Sequence, residues 1–151
     1  MTRYRDIAVL FLRLATAANF LSPVADRFGL WGAPGYPGVA WGHWPAFVEY
    51  TSQVNSFASP SLIPFLAGVA TALEIIFAIM LIVGFRTRWA ALGSGLLTMI
   101  FAIAMTISFG IKAPLDYAVF VDFTSAFLLA TVDRYRWSLD DLFAQRNSDA
   151  H

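Results

Sequence analysis

The sequence predicts an all-α integral membrane protein, a four-helix bundle with one long loop that carries a short amphipathic helix. The 151 residues are 58 % hydrophobic and only 13 % charged, which is more apolar surface than a soluble core of this length can bury. Four apolar segments approach the roughly 20 residues that a helix needs to cross about 30 Å of hydrocarbon. The few charges lie mainly between these segments.

The four segments are predicted to be membrane spans within a single domain, residues 1–151. Their approximate limits are residues 7–21, 62–85, 89–111 and 115–132, and the long loop covers residues 22–61. The middle two are long enough to span alone, whereas the first and last are short and carry charges. We therefore expect the outer two to be stable only when they pack against their neighbours.

The first segment has an alternative interpretation as a cleaved secretory signal peptide. Arg3 and Arg5 precede the apolar stretch, and residues 15–17 (Ala-Thr-Ala) form a small-residue cleavage site. A charge such as Arg13 is unusual inside the apolar part of a signal peptide. We therefore interpret the segment as a retained helix.

The basic residues predict the orientation, because short loops rich in Arg and Lys stay in the cytoplasm. Arg27 and Lys112 fall on one side of the bundle, and the remaining basic residues outside the spans fall on the other. These are Arg3, Arg5, Arg86, Arg88, Arg134, Arg136 and Arg146. We expect both termini in the cytoplasm, the loop outside, and a bacterial inner membrane as the location.

The long loop has two parts. Residues 29–38 are rich in glycine, proline and aromatic side chains, a composition that excludes a regular helix and suits the headgroup layer. From Pro45, apolar residues recur at helical spacing opposite a polar face, which predicts a short amphipathic helix in the membrane interface. The alternative is an ordinary lid over the mouth of the bundle.

Three ionisable side chains lie within the apolar segments: Arg13, Glu74 and Asp122. Such charges are costly when unpaired, so they turn inward and mark a functional pathway or a structural ion pair. Glu74 lies on a face of small residues and should point into the bundle. We expect an Arg13–Glu74 contact, with Asp122 competing for the same guanidinium. A ligand-binding or proton-relay site and a helix-locking ion pair both remain open.

Several kinds of site are not predicted. The chain has no cysteine, which excludes disulfides, thiol relays and thiolate metal sites within it. Its two histidines, His43 and His151, do not form the facing pairs of a haem or dimetal site, so we predict no metal. A net charge of zero gives no sign of nucleic acid. The aligned small residues of the third segment predict helix packing rather than a substrate groove.

Three stretches of the sequence are similar to a known family. Residues 73–76 (Leu-Glu-Ile-Ile) and 81–92 (Leu-Ile-Val-Gly-Phe-Arg-Thr-Arg-Trp-Ala-Ala-Leu) resemble the glutamate, glycine and T-R-x-A-A turn of the DoxX family. Residues 134–140 resemble its closing G-x-G-x-x-S-L-D stretch, with Asp133 and Tyr135 where glycines are usual. The resemblance covers nearly the whole chain.

The first segment shares one feature with that family and lacks another. Arg13 corresponds to the arginine common early in the family's first helix, whereas residues 19–21 replace a histidine or lysine often seen near its end. The resemblance implies a four-helix membrane protein associated with redox systems, since relatives include a subunit of thiosulfate:quinone oxidoreductase.

The functional expectation combines this resemblance with the intramembrane charges. We expect a membrane subunit of a redox complex, with an oxidoreductase partner and a quinone- or lipid-like ligand near Arg13, Glu74 and Asp122. No cofactor is expected within the chain itself, and whether the protein is an enzyme stays open. The alternatives are a small proton-coupled transporter, which could be a homo-oligomer, and a ligand-free membrane scaffold.

Overall fold

The computed structural model describes residues 2–148, and every regular element in this range is helical. The elements are α1 (Thr2–Arg27), α2 (Trp44–Val54), one 3-10 turn (Pro60–Leu62), α3 (Ile63–Val83), α4 (Thr87–Phe109), α5 (Lys112–Asp116), α6 (Val119–Ala130) and α7 (Leu139–Ser148). Helices α1, α3 and α4 are long and apolar enough to cross a membrane, and α6 is a shorter apolar helix. The fold is the all-α membrane bundle that the composition predicts.

Helices α1, α3, α4 and α6 form the bundle. Helix α1 packs on α3, α3 packs on α4, and α4 makes the most extensive contact of all with α6. A looser contact between α6 and α1 closes the ring. Helix α2 lies against α3, α4 and α1 where α1 finishes, and we call this the loop end. The opposite end carries the α3–α4 turn and the C-terminal segment, and we call it the turn end.

Small side chains fill the bundle and large apolar side chains cover its outside. The alanines that are at most 5 % exposed are Ala17, Ala67, Ala78, Ala90, Ala91, Ala102, Ala104, Ala126 and Ala130. Large side chains with exposed fractions between 61 % and 68 % include Phe11, Phe65, Ile100, Val121 and Leu128. In lipid the hydrophobic effect does not favour association of helices. The helices are instead held by van der Waals packing, which small residues allow by letting the backbones approach closely. Ser94 and Ala102 of the small-residue stripe on α4 are buried in this way.

The α3–α4 turn is tied to the C-terminal segment. Gly84 ends α3 with a φ of 69°, the left-handed conformation that favours glycine. A Cβ at Gly84 would lie 2.2 Å from the Cβ of Ser138. The carboxylate of Asp140 accepts hydrogen bonds from the backbone N–H groups of Arg86 and Thr87, both at 2.8 Å. Asp140 therefore satisfies donors at the start of α4 that the helix itself leaves unpaired.

The outer two spans differ from their predicted limits. Helix α1 does not end near residue 21 but continues to Arg27, with Pro23 inside it. Proline is tolerated in membrane helices because neighbouring groups satisfy the freed carbonyl. The fourth span is divided, because Ala118 adopts a φ of 54° between α5 and α6, and α6 ends at Ala130.

The short helix expected from Pro45 is α2. The Nδ1 atom of His43 accepts a hydrogen bond from the backbone N–H of Ala46 at 3.1 Å and so caps its first turn. Phe47 and Val54 are buried on the face that meets the bundle. The helix is confirmed, and its position in a membrane interface stays a prediction.

Candidate functional site

A buried ion pair joins α1 to α3 near the loop end. The guanidinium of Arg27 donates from Nη1 to one carboxylate oxygen of Glu74 and from Nη2 to the other, the latter at 3.1 Å. The Nη1 atom also donates to the hydroxyl of Thr71 at 2.7 Å. The side chains of Arg27 and Glu74 are 5 % and 15 % exposed. Two parallel bonds between a guanidinium and a carboxylate are the strong form of this interaction.

Two aromatic rings cover the guanidinium of Arg27. Its central carbon lies 3.7 Å from the ring centroid of Phe47 and 5.4 Å from that of Trp41. The two rings pack edge to face, with their centroids 5.1 Å apart. A cation against an aromatic face is stabilised by about 0.5 to 2 kcal/mol, the upper value applying to desolvated groups. Arg27 is therefore held by a carboxylate on one side and by aromatic faces on the other.

The aromatic cover continues from Trp41 to α4. The ring of Tyr50 lies 5.4 Å from that of Trp41 and 6.4 Å from that of Phe109. Burial raises the pKa of the Tyr50 phenol, and the nearby Tyr117 adds to the shift. The phenol of Tyr50 is consequently neutral over the physiological pH range and can act as a hydrogen-bond donor.

The residue that precedes Arg27 fixes the loop. The carboxylate of Asp26 accepts hydrogen bonds from the backbone N–H groups of Ala40, Trp41 and Gly42, at 2.8, 3.1 and 3.2 Å. Asp26 is 5 % exposed, so these bonds are shielded from water. They hold the backbone of Trp41 at the end of α1, which places its ring beside the guanidinium of Arg27.

One donor in this arrangement is unpaired. The Nε atom of Arg27 is buried and makes no hydrogen bond with any residue in the described part of the chain. An unpaired buried donor costs on the order of 1–3 kcal/mol, and more when the group is charged. We call Arg27, Thr71, Glu74, Trp41 and Phe47 the loop-end cluster. It offers a cation, a carboxylate, a hydroxyl and aromatic faces, a set that suits a ligand with a polar head and a planar or apolar body.

The structure separates Arg13 from Glu74. The Nη2 atom of Arg13 donates to the backbone carbonyl of Trp137 at 2.8 Å, and its Nη1 atom lies against Gly84 at the turn end. The predicted Arg13–Glu74 contact is therefore wrong, because Arg27 occupies both oxygens of Glu74. Arg13 instead ties α1 to the C-terminal segment, with an exposed fraction of 2 %.

Asp122 has a separate partner. Its carboxylate accepts a hydrogen bond from the Nδ2 atom of Asn19 at 3.1 Å, which links α6 to α1. The predicted competition between Asp122 and Glu74 for Arg13 is therefore wrong. Ligand binding or proton relay by Arg13, Glu74 or Asp122 stays a prediction.

The sequence interpretation missed Arg27 as a member of the site and counted it in the loop. A signal for it was present, because five of the buried residues of α1 recur at alternating spacings of four and three. They are Arg13, Ala17, Phe20, Val24 and Arg27. This helical periodicity runs through Pro23 and places the last arginine on the face that meets α3.

Metal ligands are not grouped in the described part of the chain. Within residues 2–148, no three side chains of His, Asp or Glu are placed to hold a metal ion together. His151, the second histidine weighed as a ligand, lies outside the described residues. The absence of a metal stays a prediction.

Comparison with known families assigns the chain to one of them. The DoxX family model matches residues 8–108, from α1 to the end of α4. The chain belongs to the DoxX family. No curated protein and no solved structure gives a significant match. The residues matched by DoxX contain the whole loop-end cluster, and they also contain the α3–α4 turn on which the resemblance partly rests. Asp122 and the C-terminal segment lie outside them.

Proposed function

We propose that this DoxX protein is a membrane subunit or accessory of a redox complex, and that its loop-end cluster binds the polar head of a quinone- or lipid-like ligand. The observation that carries the proposal is the unpaired Nε donor of Arg27, buried beside aromatic rings. A quinone carbonyl is an acceptor on a planar ring, which suits a donor flanked by aromatic faces. The family assignment supports the redox context.

Four residues of the cluster have a task in this proposal. The Nε atom of Arg27 donates to an oxygen of the ligand, while Glu74 keeps the guanidinium charged and oriented through both of its oxygens. Trp41 and Phe47 supply the faces against which a planar head stacks. A bound quinone would carry electrons between a partner oxidoreductase and the membrane pool. In this proposal Glu74 also exchanges a proton with the ligand.

We also propose that the turn end faces the cytoplasm of a bacterial inner membrane. The N-terminus, the α3–α4 turn and the segment after α6 meet at this end, and they carry the clustered arginines. Arg27 does not add an exposed positive charge to the opposite side, because its charge is neutralised inside the bundle by Glu74. Within residues 2–148, Lys112 is then the only exposed lysine or arginine at the loop end. This asymmetry supports cytoplasmic termini.

The test is purification from native membranes in gentle detergent, followed by mass spectrometry of extracted small molecules and co-purifying proteins. Arg27→Lys keeps the charge but removes the Nε donor, so we expect the bound quinone- or lipid-like molecule to be lost. Arg136→Lys is the matched control, because Arg136 pairs with Asp6 at the turn end. If the wild-type protein carries no enriched molecule, or if both variants lose it equally, the ligand site is not at Arg27.

The same preparation separates the proposal from its alternatives. A stoichiometric oxidoreductase partner supports the subunit role, and a homogeneous protein without partner or ligand contradicts it. Substrate-dependent proton flux in liposomes that contain this protein alone would favour the transporter. Full function after exchange of Arg27 and Glu74 would favour the ligand-free scaffold, because an exchanged pair preserves a helix contact but reverses the chemistry of a binding site.

A further inference from the structure

An open cavity of about 420 Å³ lies at the turn end, between the first turn of α4 and the end of α6. Its wall includes Arg86, Arg88, Trp89, Asp133 and Asp140. At 1.5 Å per residue, the helix that follows Arg86 is roughly 35 Å long, which is close to the thickness of a bilayer's hydrocarbon core. A membrane-spanning α4 would put the cavity at the level of the lipid headgroups, at the opposite end of the bundle from the loop end.

Two cations in this wall have no ion-pair partner within residues 2–148. Within residues 2–148 the side chains of Arg86 and Arg88 form no ion pair, whereas the nearby Arg134 and Arg136 are paired with Asp141 and Asp6. Arg86 and Arg88 are both exposed. Two guanidinium groups that line one cavity and are not paired within residues 2–148 are suited to a phosphate, which they can bind through charge-assisted hydrogen bonds.

The two carboxylates of the wall differ in their availability. Both oxygens of Asp140 are used by the backbone N–H groups of Arg86 and Thr87, so its charge is directed into the start of α4. Asp133 is exposed and makes no hydrogen bond or ion pair with the residues that the structure describes. The cavity thus presents two available cations and one available anion beside Trp89, whose exposed fraction is 65 %.

We propose that this cavity binds the phosphoethanolamine head of a membrane phospholipid. The phosphate lies between Arg86 and Arg88, and the ammonium group lies at Asp133. A head that carried only a phosphate would leave Asp133 opposed to it, whereas a zwitterionic head with a primary amine satisfies both signs of charge. Trp89 is placed as an aromatic anchor at the headgroup layer. This site is independent of the proposed ligand at the loop end.

The test measures retained lipid by native mass spectrometry after exchange into phosphatidylethanolamine, phosphatidylglycerol and phosphatidylcholine with the same acyl chains. The wild-type protein is expected to retain phosphatidylethanolamine in preference to the other two. Replacing Arg86 and Arg88 together by Gln should weaken retention about tenfold or more, as expected for the loss of two charge-assisted hydrogen bonds. Replacing Arg134 and Arg136 together by Gln removes the same charge from paired side chains and should weaken it by less than about twofold.

Further variants separate the parts of the proposal. Asp133→Asn should abolish the preference for phosphatidylethanolamine over phosphatidylglycerol while leaving retention of phosphate-bearing lipid intact. An unchanged preference would overturn the amine contact, and equal losses in the two arginine pairs would overturn the phosphate site. Soluble glycerophosphoethanolamine at the lipid's concentration should not displace the lipid, and displacement would show that the site takes free phosphate esters. Gel filtration of each variant checks that its bundle is folded.

Discussion

Asp26 and Arg27 are adjacent in α1, yet their side chains hold different parts of the protein. Asp26 binds the loop through the backbone N–H groups of residues 40–42. Arg27 binds α3 through Glu74 and Thr71. The last turn of α1 therefore joins the loop to the bundle. Because the loop also supplies Trp41 to the cover of Arg27, movement of the loop and weakening of the ion pair are expected to be coupled.

Replacing one member of the Arg27–Glu74 pair is expected to lower the free energy of unfolding much more than replacing both members by apolar residues. Arg27→Met leaves a buried carboxylate without its partner and should lower the free energy of unfolding by about 3 kcal/mol. Replacing both residues, with Glu74→Leu added, should recover most of that loss, since no uncompensated charge remains. Unfolding in mixed detergent micelles, followed by circular dichroism, measures both values. If the two substitutions prove simply additive, the side chains are not coupled in the folded protein.

Loss of the Asp26 carboxylate should release the loop without unfolding the bundle. Asp26→Ala leaves the backbone N–H groups of residues 40–42 without acceptors, which should destabilise the loop by about 2 to 3 kcal/mol. Limited proteolysis is expected to cleave the variant within residues 28–43 faster than the wild type. Asp116→Ala is the control, because Asp116 forms an exposed pair with Lys112. Equal cleavage of Asp26→Ala and wild type would show that other contacts hold the loop.

The membrane bundle was predictable because hydropathy is a property of whole segments. The α3–α4 turn was predictable for a similar reason. Gly84 and the two arginines that follow it, Arg86 and Arg88, separate one apolar run from the next. The end of α1 was not predicted, because Pro23 and the charges that follow it have the composition of a loop. The helical spacing of buried residues nevertheless continues to Arg27. Packing against α3 overrides the loop-like composition and keeps these residues in the helix.

The partner of Glu74 could not be predicted from the sequence, and the reason is geometric. Helical periodicity gives the direction in which a side chain points but not its height along a neighbouring helix. Arg13 and Glu74 point into the same interior, but Arg13 is level with Gly84, which lies roughly 15 Å farther along α3. The capping of α4 by Asp140 was unpredictable for a related reason, because Asp140 is 54 residues beyond Arg86.

The stability of the turn end should fall at high pH through Tyr135. Burial raises the pKa of this phenol, and its hydroxyl donates to the carbonyl of Leu129 at 2.9 Å. The unfolded chain ionises near the ordinary phenol value of about 10. The contribution of Tyr135 is therefore complete below that pH and is lost as the pH rises through the higher folded value.

Two variants check this titration. Tyr135→Phe removes the phenol and should flatten the dependence of unfolding free energy on pH above about 10. Tyr36→Phe is the control, since Tyr36 is 64 % exposed. Tyrosinate absorbance measured alongside unfolding assigns the ionisation. An unchanged pH dependence in Tyr135→Phe would show that another group is responsible.

The contact between Gly84 and Ser138 is expected to make Gly84 far less replaceable than a glycine that has a positive φ and open space around it. Gly84→Ala adds a Cβ that would lie 2.2 Å from the Cβ of Ser138, in a backbone with a φ of 69°. Gly38→Ala tests a positive φ alone, because Gly38 has a φ of 82° and no atom within 4 Å of its added Cβ. Both variants should lose about 1 kcal/mol through backbone strain, and Gly84→Ala should lose about 2 kcal/mol more through overpacking. Thermal unfolding in detergent measures the difference. Equal losses in the two variants would show that the C-terminal segment can move away from the turn at little cost, and that its contact with α3 contributes little to holding the turn end together.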